Sequence, residues 1–97
     1  VVPQEEISPT LAAVLEEARQ DPAHKVLVFF VAAMVVQVHT ELFRAMGWDI
    51  LEMHSRHTQA YRMRVAEAFR NNPGQIMFTS DVSARGLDYP DISLVVQ

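Results

Sequence analysis

Residues 25–31 read KVLVFFV, and this continuous run is the stretch from which the fold of the chain is predicted. After its first residue the run is apolar, rich in β-branched and aromatic side chains, and without polar alternation. Such a pattern is typical of a strand that is buried on both faces, and such strands belong to parallel sheets covered by helices. The run therefore predicts a central strand of an α/β domain.

Helical and strand patterns alternate on both sides of this run. Upstream, Ser8-Pro9 is predicted to begin a helix, because serine caps helices well and proline is tolerated at the first helical position. Its apolar stripe would comprise Leu11, Val14, Leu15 and Ala18. A second helix is predicted to carry Val35, His39, Leu42 and Met46 along one side and to end at Gly47.

Further strands are predicted at 49–53, 75–79 and 92–96. Between the first two of these, Thr58 is predicted to cap a third helix, with an inner stripe of Tyr61, Val65, Ala68 and Phe69. This order predicts βαβ units and a parallel sheet with flanking helices. Ligands of such sheets lie off the carboxyl ends of the strands, which here means the segments after Phe30, at His54 and from Ser80.

Length and composition exclude several classes of protein. The 97 residues suffice for one domain, predicted over 1–97, with 1–24 as a lead-in segment and first helix. There is no cysteine, so disulfide scaffolds and thiolate zinc sites are excluded, and an intracellular location is predicted without a choice among cytoplasm, nucleus and mitochondrion. No apolar stretch is long enough for a membrane span.

The net charge of −4 argues against wholesale coating of nucleic acid, but the charges are uneven. Residues 54–70 hold four arginines against a single glutamate. A local cationic face of this kind can bind a phosphate backbone even on an acidic domain.

The loop at residues 79–88, read TSDVSARGLD, is the most informative stretch for chemistry. Ser80 and neighbouring backbone N–H groups are candidate ligands of a phosphate oxygen, Gly86 permits close backbone approach, and Asp88 is a candidate acceptor for a ribose diol. The alternative reading is an ordinary polar loop with an aspartate cap and a glycine turn.

The segment at residues 54–62, read HSRHTQAYR, is the second candidate. Gln59 and Arg62 lie three residues apart near a helix start, so they share a face that favours phosphate. The alternative is a solvated helix face. His54 and His57 lack a third ligand in the sequence, so no metal site is predicted.

A nucleotide-hydrolysing centre is incomplete in these residues. The glycines stand at 47, 74 and 86, and there is no Gly-x-x-x-x-Gly-Lys-Ser/Thr loop to hold phosphates. No acidic pair follows a strand to hold magnesium. No complete catalytic set is therefore predicted in this chain.

From about Lys25 to Gln97 the sequence resembles the C-terminal RecA-like domain of DEAD-box ATP-dependent RNA helicases. Residues 80–88, SDVSARGLD, match the family's motif V, usually TDVAARGLD, and this match is highly specific. Residues 54–62 match its His-Gly-x-x-x-Gln-x-x-Arg block, and Phe69-Arg70 match the end of the same helix. Residues 26–30 match motif IV more weakly.

The resemblance implies a partial RecA-like fold of the P-loop NTPase type and a role for each matching position. It implies RNA-backbone contacts at Ser80, Gln59, Arg62, Ser55 and Thr79. It implies an ATP site that includes Asp88, Gly86 and Arg85. ATP with magnesium would be held mainly by an N-terminal RecA-like domain of the parent protein, and the partners would be that domain and single-stranded RNA or a short RNA duplex.

Three departures from the family pattern bear on these roles. Ala32 replaces a threonine after motif IV and removes a hydroxyl. Ser55 replaces the glycine of His-Gly, which fits only if its φ stays negative. The chain ends before motif VI, so we expect the parent to be the active ATP hydrolase. We expect the isolated chain to be inactive, and to be marginally stable, prone to aggregate or held by a partner.

Three rival readings remain open at this point. The first is half of a superfamily 2 DNA helicase, against which the motif V and Gln-x-x-Arg residues argue. The second is a non-catalytic protein-interaction fragment of a helicase, against which Asp88 argues, because a scaffold does not need it. A third, more general reading is an α/β domain that binds another phosphorylated ligand.

Overall fold

The structure of this protein is a computed structural model that describes the backbone of residues 4–80, 92 and 94–96, and side chains within this part from Thr10 onward. The elements in this part alternate between helix and strand. They are α1 (Gln4–Ala18), β1 (Lys25–Phe29), α2 (Ala33–Ala45), β2 (Ile50–Met53), α3 (Gln59–Asn71), β3 (Gln75–Thr79) and β4 (Leu94–Val96). No helix among the described residues is long and apolar enough to cross a membrane.

The four strands form one parallel sheet in the order β2-β3-β1-β4, which confirms the predicted fold class. The register places Thr79 beside Phe29 of β1 on one side and beside Met53 of β2 on the other. Three strands therefore end level with one another. The segments that follow them leave the sheet from a common carboxyl edge.

Helices cover both faces of the sheet, and alternate strand residues point to each. On the face of α1 and α2 lies a core made of Leu11, Leu15, Val26, Val28, Val36, Phe43, Ile50, Ile76 and Phe78. On the face of α3 lies a second core made of Leu27, Met53, Val65, Phe69 and Met77. Burial on both faces explains why the central strand has no polar alternation.

The observed ends of four elements differ from the prediction. Strand β2 begins at Ile50 and not at residue 49. Helix α1 begins at Gln4 and not at Ser8, so Pro9 lies inside the helix. Strand β1 ends at Phe29, and Val31 is 94% exposed, because the chain turns toward α2 after Phe30. Strand β4 is described over Leu94–Val96, and Ile92, where the strand was predicted to begin, lies outside it.

The predicted apolar stripe of α2 was wrong in its phase. Leu42 and Met46 are exposed, whereas Val36, Thr40 and Phe43 face the core. The helix is apolar around most of its circumference, so periodicity does not indicate which side packs on the sheet. A smaller error of the same kind occurs in α1, where Val14 is exposed beside the buried Leu11 and Leu15. The predicted stripe of α3 is confirmed.

The end of α2 is set by local chemistry. Gly47 has a φ of +92°, its N–H donates to the Arg44 carbonyl, and the Trp48 N–H donates to the Phe43 carbonyl. This pair of bonds is a Schellman motif, which requires a residue that adopts positive φ at low cost. The Trp48 ring packs edge-on against Phe43, with centroids 5.8 Å apart, so Trp48 serves the core as expected.

Candidate nucleic-acid interface

The carboxyl edge brings together two of the predicted binding segments. Because Met53 and Thr79 are partners in the register, the residues that follow them, His54 and Ser80, leave the sheet side by side. The sequence places these segments 26 residues apart, and the parallel pairing of β2 and β3 makes them neighbours. The edge therefore has the position at which ligands of parallel sheets bind.

The start of α3 places Gln59 and Arg62 at this edge. Thr58 caps the helix with its hydroxyl, which accepts the Tyr61 N–H at 3.1 Å, and the Arg62 N–H donates to the Thr58 carbonyl at 3.0 Å. Gln59 is exposed at the first helical position, and Arg62 is half-buried one turn later. The positive end of the helix dipole and a guanidinium thus lie close together.

The predicted residues at the end of β3 are unequal in exposure. Ser80 is half-buried at the edge, whereas Thr79 is fully buried, and its carbonyl accepts the Phe30 N–H at 2.8 Å. The role of Thr79 in RNA contact stays a prediction, and its burial places it behind the surface. Ser80 is the hydroxyl of this pair that reaches the surface.

Ser55 lies exposed in the turn between β2 and α3. Within the described part of the chain, residues with positive φ are glycines, so Ser55 keeps a negative φ. The condition under which serine fits in place of glycine is therefore met. At the neighbouring segment, Ala32 stands at the N-cap of α2 and supplies no side-chain cap, as a hydroxyl there would.

Behind this turn the structure assembles a cluster of Glu52, His54 and His57. Nε2 of His54 lies 3.6 Å from Oε2 of Glu52, and Nε2 of His57 lies 3.5 Å from Oε1. The two imidazole rings stack with centroids 3.8 Å apart, and Tyr61 packs against His57 at 4.1 Å. The sequence prediction missed Glu52 as a member of this cluster, although its alternation with His54 along one strand face was a signal.

The cluster has the residue types of a metal site but not the free lone pairs that a metal needs. The Arg56 N–H donates to Nδ1 of His54 at 3.2 Å, and the His54 N–H donates to Nδ1 of His57 at 3.3 Å. Each ring therefore carries its proton on Nε2, the atom that faces Glu52. A ligating histidine has the reverse arrangement, with its second nitrogen donating.

Burial lowers the pKa of His57 below its ordinary value of 6.5, and the neighbouring His54 lowers this pKa further. Glu52 acts in the opposite direction through its charge and a hydrogen bond, and the charge of Arg62 again lowers the pKa of His57. This coupling shows that the cluster lies within electrostatic reach of Arg62. The neutral ring is the form that this site favours.

The predicted ATP-site residues Arg85, Gly86 and Asp88 lie outside the described residues. Their assignment stays a prediction. The segment after β2 owes its excess of positive charge to Arg56, Arg62, Arg64 and Arg70.

Residues 9–97 match the family described as helicase conserved C-terminal domain. The chain belongs to this family. Over 74 residues it is 49% identical to DEAD-box ATP-dependent RNA helicase 26 of Arabidopsis thaliana, and over 78 residues it is 45% identical to DEAD-box ATP-dependent RNA helicase 26 of Oryza sativa subsp. japonica. These matches cover 76% and 80% of this chain, and 9% and 15% of the relatives.

This helicase C-terminal chain thus spans about a tenth of the length of the curated relatives that it matches. Their names confirm the resemblance to DEAD-box helicases. Among solved structures, Mss116p DEAD-box helicase domain 2 bound to an RNA duplex aligns with a TM-score of 0.73 at 23% identity, covering 94% of this chain and 37% of that one. The Sulfolobus solfataricus SWI2/SNF2 ATPase C-terminal domain aligns with a TM-score of 0.69 at 16% identity, covering 90% of this chain and 39% of that one. At these identities the likeness shows the shared RecA-like fold.

Proposed function

We propose that this chain is part of the second RecA-like domain of an ATP-dependent RNA helicase, and that its carboxyl edge binds the phosphate backbone of RNA. The single observation that carries the proposal is the juxtaposition of the His54 and Ser80 segments by the pairing of Met53 with Thr79. The relatives at 40–49% identity are named as RNA helicases, which favours RNA over DNA as the substrate.

The chemistry of the edge suits a backbone and not a base sequence. Arg62 offers a planar fork of donors for phosphate oxygens, and Gln59, Ser80 and Ser55 offer neutral donors around it. The N-terminus of α3 adds backbone N–H groups and the positive end of its dipole. Contacts of this type position a nucleic acid without reading its sequence.

In the parent protein, we propose that Asp88, Gly86 and Arg85 face ATP while an N-terminal RecA-like domain holds most of the nucleotide and its magnesium. Binding of ATP would close the two domains on RNA. The described residues contribute the RNA side of that arrangement. Arg62 and Gln59, which α3 orients, and Ser80, which follows β3, hold the backbone.

Fluorescence anisotropy with a short single-stranded RNA tests the proposal. We expect binding that weakens steeply as salt rises, because phosphate contacts release counterions. Arg62→Ala should weaken binding by about tenfold, the effect of losing about 1.4 kcal/mol from a charge-assisted contact.

Arg64→Ala is the matched control, since it removes the same charge from the same helix. Arg64 is exposed and lies two residues from Arg62, so it points in another direction. Equal losses for the two variants would indicate general attraction and contradict a defined edge. No binding by a folded chain would contradict the proposed function.

A further inference from the structure

Hydrogen bonds of His54 and His57 close the turn between β2 and α3. The His57 N–H donates to the His54 carbonyl at 3.1 Å, which is the backbone bond of the turn. In return, the His54 N–H donates to Nδ1 of the His57 ring at 3.3 Å. A third bond runs from the Arg56 N–H to Nδ1 of His54 at 3.2 Å. The backbone of the turn is thus bonded to both imidazole rings.

These bonds decide which nitrogen of each ring holds the proton. A backbone N–H is always a donor, so each Nδ1 must present a lone pair. In a neutral imidazole the proton then resides on Nε2. Both Nε2 atoms face Glu52, one toward each carboxylate oxygen, at 3.5 and 3.6 Å. The side chains of His54, His57 and Glu52 are 5%, 20% and 13% exposed, so water competes little for these contacts.

A second proton on either ring would disrupt this arrangement. This proton would bind at Nδ1, the atom that accepts a backbone N–H. The ring N–H and the backbone N–H would then face each other as two donors, and the hydrogen bond would be lost. Among the residues that the structure describes, the titratable and charged groups that face His57 are Glu52 from β2, His54 from the turn, and Arg62 and Tyr61 from α3. Of these only Glu52 favours a charged ring, and burial acts against it.

The position of the turn gives these bonds a consequence for binding. It presents Ser55 and leads directly into the cap at Thr58, and so into Gln59 and Arg62. We propose that His54 and His57 are positioning residues of the RNA-binding edge, which as neutral rings hold the 54–57 turn against Glu52 and so aim Ser55, Gln59 and Arg62 at the phosphate backbone. The inference rests on the proposed function.

The expected sign of the pH effect separates this proposal from simple electrostatics. Acidification charges histidines and ordinarily strengthens binding to a polyanion. Here we expect RNA affinity to fall by about fivefold from about pH 7.5 to about pH 5.5, which corresponds to about 1 kcal/mol for one lost turn bond.

The first measurement uses the chain without RNA, so it does not depend on the proposed function. Nitrogen-15 NMR of the imidazole rings at about pH 7.5 should show His54 and His57 protonated on Nε2 and accepting on Nδ1. Rings protonated on Nδ1, or rings whose Nε2 signals move on addition of Zn²⁺, would overturn the proposal.

The second measurement compares variants by RNA anisotropy across the same pH range, with circular dichroism at each pH to report the folded fraction. His57→Asn keeps an acceptor near the position of Nδ1 but does not titrate, so it should bind RNA and show a smaller acid decline than the unsubstituted chain. His57→Phe keeps a ring but no acceptor, so it should bind weakly at every pH. Should His57→Phe fail to fold, the comparison of His57→Asn with the unsubstituted chain still decides.

Each outcome of these measurements either supports or contradicts the proposed positioning role. An affinity that rises on acidification, or an acid decline that His57→Asn leaves undiminished, would overturn the positioning role. Arg62→Ala in the same series tests the proposed function separately, through its loss of affinity at about pH 7.5, where the turn is intact. A chain with the expected ring protons but no RNA binding would contradict the proposed function and, with it, the role of the turn.

Discussion

Protonation of the His57 side chain affects the stability of the domain. Burial is the largest cause of its lowered pKa, followed by the nearby His54, so the folded state favours the neutral ring more than the unfolded chain does. The unfolded chain therefore binds more protons as the pH falls. The stability that this residue contributes is complete above about pH 6.5 and is lost as the pH falls toward the lower pKa of the folded state.

We predict that the difference in unfolding free energy between the unsubstituted chain and His57→Asn shrinks on acidification. Asparagine does not titrate, so the difference isolates the proton linkage of His57. Urea unfolding of both proteins at about pH 7.5 and about pH 5.5 measures it. A difference that stays constant or grows at the lower pH would show that the neutral ring is not favoured by the fold.

At the scale of the element, α2 and α3 begin in contrasting ways. Thr58 is an N-cap whose hydroxyl accepts the Tyr61 N–H. Ala32 is an N-cap with extended φ and ψ of −154° and 156°, but it offers no side-chain acceptor. The backbone geometry at both positions suits a capping hydroxyl, so the two helices differ in the residue and not in the conformation.

Substitutions at these caps should have opposite effects. We expect Thr58→Ala to lower the unfolding free energy by about 1 kcal/mol and Ala32→Ser to raise it by about 0.5–1 kcal/mol. Urea denaturation measures both, and Thr58→Ser serves as the control that keeps the acceptor. Destabilisation by Ala32→Ser would show that the start of α2 cannot accommodate a cap.

The two sides of α2 provide a second prediction at this scale. Phe43 is fully buried and contacts Phe78 edge-on with centroids 5.3 Å apart, whereas the adjacent Leu42 is 42% exposed. We expect Phe43→Ala to cost about 3–5 kcal/mol because it leaves a cavity, and Leu42→Ala to cost less than about 1 kcal/mol. Similar losses in urea midpoints for both would contradict the observed phase of the helix.

For the whole molecule, an apolar ridge on α2 affects its behaviour in solution. The ridge consists of Met34, Val38, Leu42 and Met46, which follow one another at intervals of four residues and are all exposed. Exposed contiguous apolar surface promotes association between molecules.

We predict that Val38→Glu lowers self-association without lowering stability. Val38 is 56% exposed in a helix, so a glutamate there meets water and removes apolar surface. Light scattering against concentration measures association, and urea unfolding measures stability. Gln37→Glu is the control, since it adds the same charge at an exposed position beside the ridge. Equal reduction by both variants would assign the effect to net charge and not to the ridge.

Much of the architecture follows from local sequence. The apolar run at 25–31, the glycine at 47 and the threonine at 58 indicate a buried strand, a helix end and a helix start, because each depends on few neighbours. The parallel sheet follows from the alternation of these elements. The residues predicted at the edge, Gln59 and Arg62, were found from their spacing on one helix turn.

The tertiary structure alone decided which side of α2 is buried, that Lys25 reaches across the fold to donate to the Arg70 carbonyl, and that Glu52 joins the two histidines. These features depend on how elements distant in sequence meet, and periodicity does not decide which side packs when a helix such as α2 is apolar around most of its circumference. The neutral state of His57 is of the same kind. It depends on backbone donors and burial that exist only once the turn has closed against the end of β2.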